Sequence, residues 1–136
     1  DLAFHLAGLP ASMTSHTKGE TAWHPSGCAF AGCGETSSGA LFSYHGQWET
    51  PGGWGLELRT NQRTLIFKPL ERLVVQRRDG GSVEEDVVDE SSVTDFKPGL
   101  LDQVVAFTNR NSTNLCALSS HITATKTYIQ MAGYDC

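Results

Sequence analysis

Apolar and polar positions alternate between Ala40 and Trp48. Leu41, Ser43, His45 and Gln47 fall on one side, and Phe42, Tyr44, Gly46 and Trp48 on the other. That two-residue period is the signature of a strand. The same alternation returns from Trp54 to Thr60, where Trp54, Leu56 and Leu58 oppose Glu57 and Arg59. Further strands are predicted at Met13–Thr17, Cys28–Gly34, Thr64–Lys68, Leu73–Gln76 and Ser82–Val88. Turn chemistry separates them at 36–39, 51–53, 61–63 and 79–81, the last being Asp-Gly-Gly. The pattern changes to helical spacing at both ends. Leu2, Ala3 and Leu6 precede Gly8 and Pro10, which stop a first helix. Pro98 opens a second, with Leu101, Val104, Val105 and Phe107 or Thr108 as its buried stripe. Ser119 caps a third, whose apolar side is Ile122, Thr125, Ile129 and Ala132 and which Gly133 ends.

One helix, a run of strands and then two helices predict an α+β fold. The expected form is an open, mostly antiparallel sheet of about six or seven strands with helices packed on one face. The other face must then be polar or covered by another molecule. A length of 136 residues fits a single domain, 1–136, with a core of its own. A first helix that starts at residue 1 without a cap leads to the expectation that residues 1–10 are the tail of a helix begun upstream in a longer chain.

Ten basic and fifteen acidic residues leave a net charge of −5, which argues against a general phosphate-binding surface and hence against nucleic acid. No apolar run is long enough for a membrane helix, and no basic, apolar leader opens the chain. These features point to a cytoplasmic protein. Cys28 and Cys33 lie five apart on one predicted strand, so they face opposite sides and should not bridge. With His24 they do not match the spacing of a zinc site, and Cys116 and Cys136 read as ordinary thiols with them. Asn111-Ser-Thr113 has the form of a glycosylation sequon but reads as a polar loop.

Catalytic signatures are missing. The stretch Gly32 to Ser37 (GCGETS) sits between two strands with no helix following to hold a pyrophosphate, and no strained serine elbow occurs. His5, His16 and His121 read as structural, and His45 as a partly exposed sheet residue. His24 is more informative, because it follows Trp23 in a long polar loop. Trp23, Tyr44, Trp48 and Trp54 make an aromatic set suited to a sugar-like ligand: flat rings pack on sugar C–H faces while N–H and O–H groups bind hydroxyls. Each ring also fits a sheet core or an interface.

Three segments carry a family resemblance. Asp1 to Gly8 (DLAFHLAG) looks like a helix that follows an active-site H-x-x-D element. Gly39 to Trp48 (GALFSYHGQW), then PGGW at 51–54 and LEL at 56–58, look like central strands and a turn. Phe96 to Phe107 (FKPGLLDQVVAF) looks like a closing helix of the F-x-x-Q-x-x-x-F type, followed by a last helix at 118–133. In this order they resemble the C-terminal domain of the Gfo/Idh/MocA oxidoreductases, the family of glucose–fructose oxidoreductase and inositol dehydrogenase.

The resemblance implies a parent with an N-terminal Rossmann domain that binds NAD or NADP and is not in this chain. The E-K-P element with its lysine is absent, and only Asp1 matches the Asp of H-x-x-D. It thus implies no catalytic, cofactor or metal residue here, and no activity alone. The chain would shape the substrate pocket for a sugar, cyclitol or related alcohol and join a homo-oligomer through its open sheet face. Asp1, Trp23, His24, Tyr44 and Trp54 are the expected substrate-binding residues. A different reading is a free-standing open-sheet module that binds a sugar or a protein partner through Trp23, Trp48 and Trp54. A third is a metal-binding domain built on His24 and the cysteines.

Overall fold

The computed structural model describes residues 2–24, 26–79, 83–86, 99–113 and 115–134. Asp1, the Gly80–Gly81 turn, Phe96 to Pro98 and Cys136 lie outside them. The chain is α+β and divides into two compact units, residues 1–50 with 116–136, and residues 51–115.

The first unit is a three-stranded antiparallel sheet of β1 (Pro10–Lys18), β2 (Ala29–Thr36) and β3 (Leu41–Gln47), in that order, with α1 (Leu2–Ala7) and α3 (Leu118–Ala132). Side chains alternate as expected for a half-covered sheet. Met13, Ser15, Thr17, Phe42 and Tyr44 are half-buried, while Thr14, His16, Cys33, Glu35, Ser43 and His45 are exposed. α1 packs on the covered face through Phe4, whose ring meets Phe42 edge-on at 5.6 Å. Gly8, at φ 88°, ends the helix in the left-handed conformation.

The β2–β3 turn is tied to that helix end. Thr36, only 2% exposed, accepts from the Ala40 N–H at 3.1 Å and pairs with the Ser38 hydroxyl at 2.9 Å. Ser38 also donates to the Ala7 carbonyl at 2.7 Å, satisfying an acceptor the helix leaves free.

Gly32 and Gly34 lie within β2, on the strand the sequence predicted, and their role is steric. They stand opposite Tyr44 and Phe42 in the register. A Cβ on Gly32 would sit 2.5 Å from the Tyr44 ring, and one on Gly34 would sit 3.0 Å from the Phe42 ring. The missing side chains form a trough in which both rings lie.

The second unit is a four-stranded antiparallel meander of β4 (Leu56–Arg59), β5 (Arg63–Phe67), β6 (Leu73–Arg77) and β7 (Val83–Asp86), together with α2 (Leu100–Thr108). Leu56 and Leu58 are half-buried with Leu65, Ile66, Phe67, Leu73 and Val74, and Val75 is 7% exposed.

Four expectations change. The seven strands among the described residues form two sheets, not one. Residues 48–55 carry no strand between β3 and β4, so nothing in that segment continues the pairing. Leu101, Val104, Val105 and Phe107 of α2 are exposed, so the predicted stripe is not buried against described residues. α3 has its N-cap at Ala117, two residues before the predicted Ser119 and with no side-chain cap, so Ser119 lies inside the helix. The expected core is thin, with Val75 the only buried apolar side chain among the described residues.

Gly32→Ala is expected to destabilise the first unit by about 1–3 kcal/mol, because the methyl group displaces the Tyr44 ring. Gly46→Ala, whose Cβ meets nothing within 4 Å, should change stability by less than about 0.5 kcal/mol. Urea denaturation of the two variants checks the contrast.

Candidate functional site

Residues 19–28 connect β1 to β2 as a closed excursion. The Cys28 N–H donates to the Lys18 carbonyl at 3.0 Å, and the Trp48 N–H donates to the Cys28 carbonyl at 2.8 Å. Gly19, at φ 78°, makes the turn out of β1. Near the tip, Thr21 and His24 pair as an isolated bridge, and the Thr21 hydroxyl accepts from the His24 N–H at 3.1 Å. This folds the loop back and brings Trp23 and His24 onto the end of the sheet.

There they join a closed set of rings. Trp23 meets His24 at 5.7 Å and 78°, His24 meets Phe30 at 5.4 Å and 87°, Phe30 meets Trp48 at 6.4 Å and 86°, and Trp48 meets Trp23 at 5.0 Å and 73°. Every contact is edge to face, the arrangement that ring quadrupoles favour by about 0.5–1.5 kcal/mol per pair. Tyr134, just past α3, adds a fifth ring 5.0 Å from His24. The set has a dry centre and a wet rim: His24 is 8% exposed, Trp48 39% and Trp23 61%. The two indoles therefore present a corner of apolar faces to solvent above a buried imidazole.

One polar thread enters the set. The Ser26 hydroxyl donates to the Ala132 carbonyl at 2.9 Å and lies 3.2 Å from Nδ1 of His24. It joins the loop to the last turn of α3, where Gly133, at φ 73°, ends the helix against Thr17. The Ser26 oxygen is thus shared between a helix-end carbonyl and the imidazole. The arrangement can bind and orient a ligand.

The expected substrate residues separate. Trp23 and His24 come together. Tyr44 lies in the Gly32 trough, makes no ring contact with them, and keeps a buried hydroxyl without a partner among the described residues, as does Ser15 in the same row of the sheet. Trp54 belongs to the second unit, outside β4, and is 75% exposed. Asp1 lies outside the described residues. Phe30, Ser26 and Tyr134 are absent from the expected site residues, and Trp48 is among them only in the reading as a free-standing module. The legible signal was the alternation that put Trp48 on the side of Phe42 and Tyr44.

His5, His16, His45 and His121 are all exposed on their helices and strands. Cys28, Cys33 and Cys116 are free thiols. Among the described residues no group of three or more His, Cys, Asp or Glu is placed to hold a metal ion, and no helix is long and apolar enough to cross a membrane. An open depression of about 440 Å³ lies at the end of α2, lined by Phe107, Thr108, Arg110, Asn111, Ser112 and Leu115. Burial raises the pKa of Tyr128 on α3, and the negative charge of the Cys116 thiolate raises it further.

Comparison of the chain with protein-family models, with curated proteins and with solved structures finds no match.

Phe30→Ala is expected to cost about 2 kcal/mol in urea denaturation, since it removes the floor under both His24 and Trp48. Trp23→Ala should cost less than about 1 kcal/mol, because that ring is mostly solvated. The raised Tyr128 pKa also sets a pH dependence. The folded state holds this phenol proton more tightly than the unfolded chain does. Its contribution is therefore complete below the unfolded pKa of about 10 and is lost as pH rises through the higher folded value. Unfolding midpoints measured across that range should fall more gently for Tyr128→Phe than for the parent chain.

Proposed function

We propose that this chain is the substrate-binding and oligomerisation domain of an NAD(P)-dependent oxidoreductase that acts on a sugar, cyclitol or related alcohol. The supporting observation is that elements occur where the resemblance to Gfo/Idh/MocA C-terminal domains requires them. The DLAFHLAG segment contains α1, GALFSYHGQW contains β3, and LEL lies in β4. FKPGLLDQVVAF runs into α2, and α3 closes the sequence. In this reading the nicotinamide is held by a Rossmann domain outside the chain, and hydride and proton transfer are not this chain's work. No cofactor, metal or catalytic residue is assigned here.

The chain's contribution is recognition. The corner of Trp23 and Trp48 takes the C–H face of a ring or polyol, and the N–H and O–H groups at its rim take hydroxyls. Trp23 and His24 remain in the substrate set, joined by Trp48 and Tyr134. Tyr44, Trp54 and Asp1 stay assigned only by the resemblance. The exposed side of the three-stranded sheet, with His16, Cys33 and His45, is the proposed homo-oligomer face. Its polarity means a wet, hydrogen-bonded contact. We place the enzyme in the cytoplasm, in keeping with three free thiols among the described residues.

Titration of the chain with NADH and NADPH should produce no change in nicotinamide fluorescence, and a sugar and cyclitol panel should quench tryptophan emission. Tight nucleotide binding would contradict the assignment. Silence to the whole panel would remove the substrate site, and with it the free-standing sugar module as an alternative. Sedimentation should show concentration-dependent self-association; a monomer at high concentration overturns the sheet-face interface.

A further inference from the structure

The Ser26 hydroxyl has one proton, and the geometry sends it to the Ala132 carbonyl at 2.9 Å. A carbonyl can only accept. At Nδ1 of His24, 3.2 Å away, Ser26 therefore offers a lone pair. Two lone pairs facing each other at that distance would repel, so Nδ1 carries the proton and donates. In the neutral imidazole the remaining nitrogen, Nε2, is then an acceptor and nothing else.

Nε2 has no hydrogen-bond partner among the described residues, and the side-chain polar atoms buried without partners are those of Ser15 and Tyr44. The ring that carries it is 8% exposed and meets Trp23, itself in contact with Trp48, edge-on within the aromatic set. A polar atom so enclosed is costly to leave unpaired once a ligand displaces water, so it selects what the ligand must bring.

We propose that His24 is a specificity residue which, through Nε2, accepts a hydrogen bond from a ligand hydroxyl. Ser26 is the positioning residue that holds the imidazole in the Nδ1–H form. The proposal rests on the reading of the aromatic corner as a polyol site and deepens it. The corner takes an alcohol, and it discriminates against an isosteric ketone or ether, which would set one acceptor against another. A site of this kind favours the reduced member of an alcohol–ketone pair.

The test is long-range ¹H–¹⁵N correlation spectroscopy of the imidazoles in the ¹⁵N-labelled chain, combined with tryptophan fluorescence. The free protein should show His24 in the Nδ1–H form, and an Nε2–H pattern would overturn the proposal. Saturating myo-inositol, and cyclohexanol as a minimal probe, should quench tryptophan and move the Nε2 signal toward that of a hydrogen-bonded acceptor. Cyclohexanone has the same ring size but no donor. It should leave Nε2 unmoved.

Ser26→Ala should shift the tautomer balance toward Nε2–H and weaken myo-inositol about five- to tenfold, while Ser26→Thr restores both. A merely structural serine would not change the tautomer and the affinity together. If the alcohols quench tryptophan but Nε2 does not respond, the specificity role falls and the polyol site stands. If neither alcohol binds, both fall, and the tautomer measured in the free protein shows separately whether the Ser26 geometry was correct.

Discussion

The imidazole of His24 is buried, with the Ser26 oxygen 3.2 Å from its Nδ1, and the Ser26 hydroxyl donates to the Ala132 carbonyl. The bond to Ala132 ties the 19–28 loop to the last turn of α3, and His24 in turn meets the Phe30 ring, which meets Trp48. Without the serine, Nδ1 would lose its hydrogen-bond partner among aromatic edges. Among the described residues the loop is also fastened by the Thr21–His24 bridge and the Lys18–Cys28 closure. The position of Trp23, and with it the exposed indole corner, follows from this anchor.

The rest of the first unit is arranged by shape more than by bulk. Gly32 and Gly34 remove side chains from the middle strand so that Tyr44 and Phe42 can lie across it, and Phe4 then finds an edge to pack against. Apolar burial among the described residues is slight in both units. Leu118 and Ile122 of α3 and the whole apolar side of α2 remain exposed. Edge-to-face rings, a trough and a hydrogen-bonded turn at Thr36 carry much of the order in the first unit. These are directional interactions, well suited to holding a binding surface in a fixed shape.

Strand alternation made β3 and β4 legible to within a residue or two, because Phe42, Tyr44, Leu56 and Leu58 do occupy the covered faces. Gly8 and Gly133 marked helix ends correctly, since left-handed backbone there demands glycine. What the sequence concealed was long-range. Whether β3 and β4 share a sheet depends on pairing across residues 48–55, and local pattern does not encode pairing partners. Ser119 looked like a cap because capping preference is local, yet the helix starts at Leu118 with Ala117 outside it. Trp23 and His24 were visible as a pair in a loop. Their partners Phe30, Trp48 and Tyr134 come from a neighbouring strand, its hairpin mate and the far end of the chain, so only folding brings them together. Tyr44 and Trp54 were grouped with them on residue type alone, and register and unit membership separate them.

The central claim is that the corner formed by Trp23 and Trp48 receives the C–H face of a polyhydroxylated ligand. Intermolecular nuclear Overhauser effects measure this most directly. With myo-inositol bound to the ¹³C-labelled chain, cross-peaks should run from the ligand ring protons to the indole protons of Trp23 and Trp48 and to the ring of Tyr134. Cross-peaks confined to Trp54 or to the depression at the end of α2, with none to the two indoles, would contradict it.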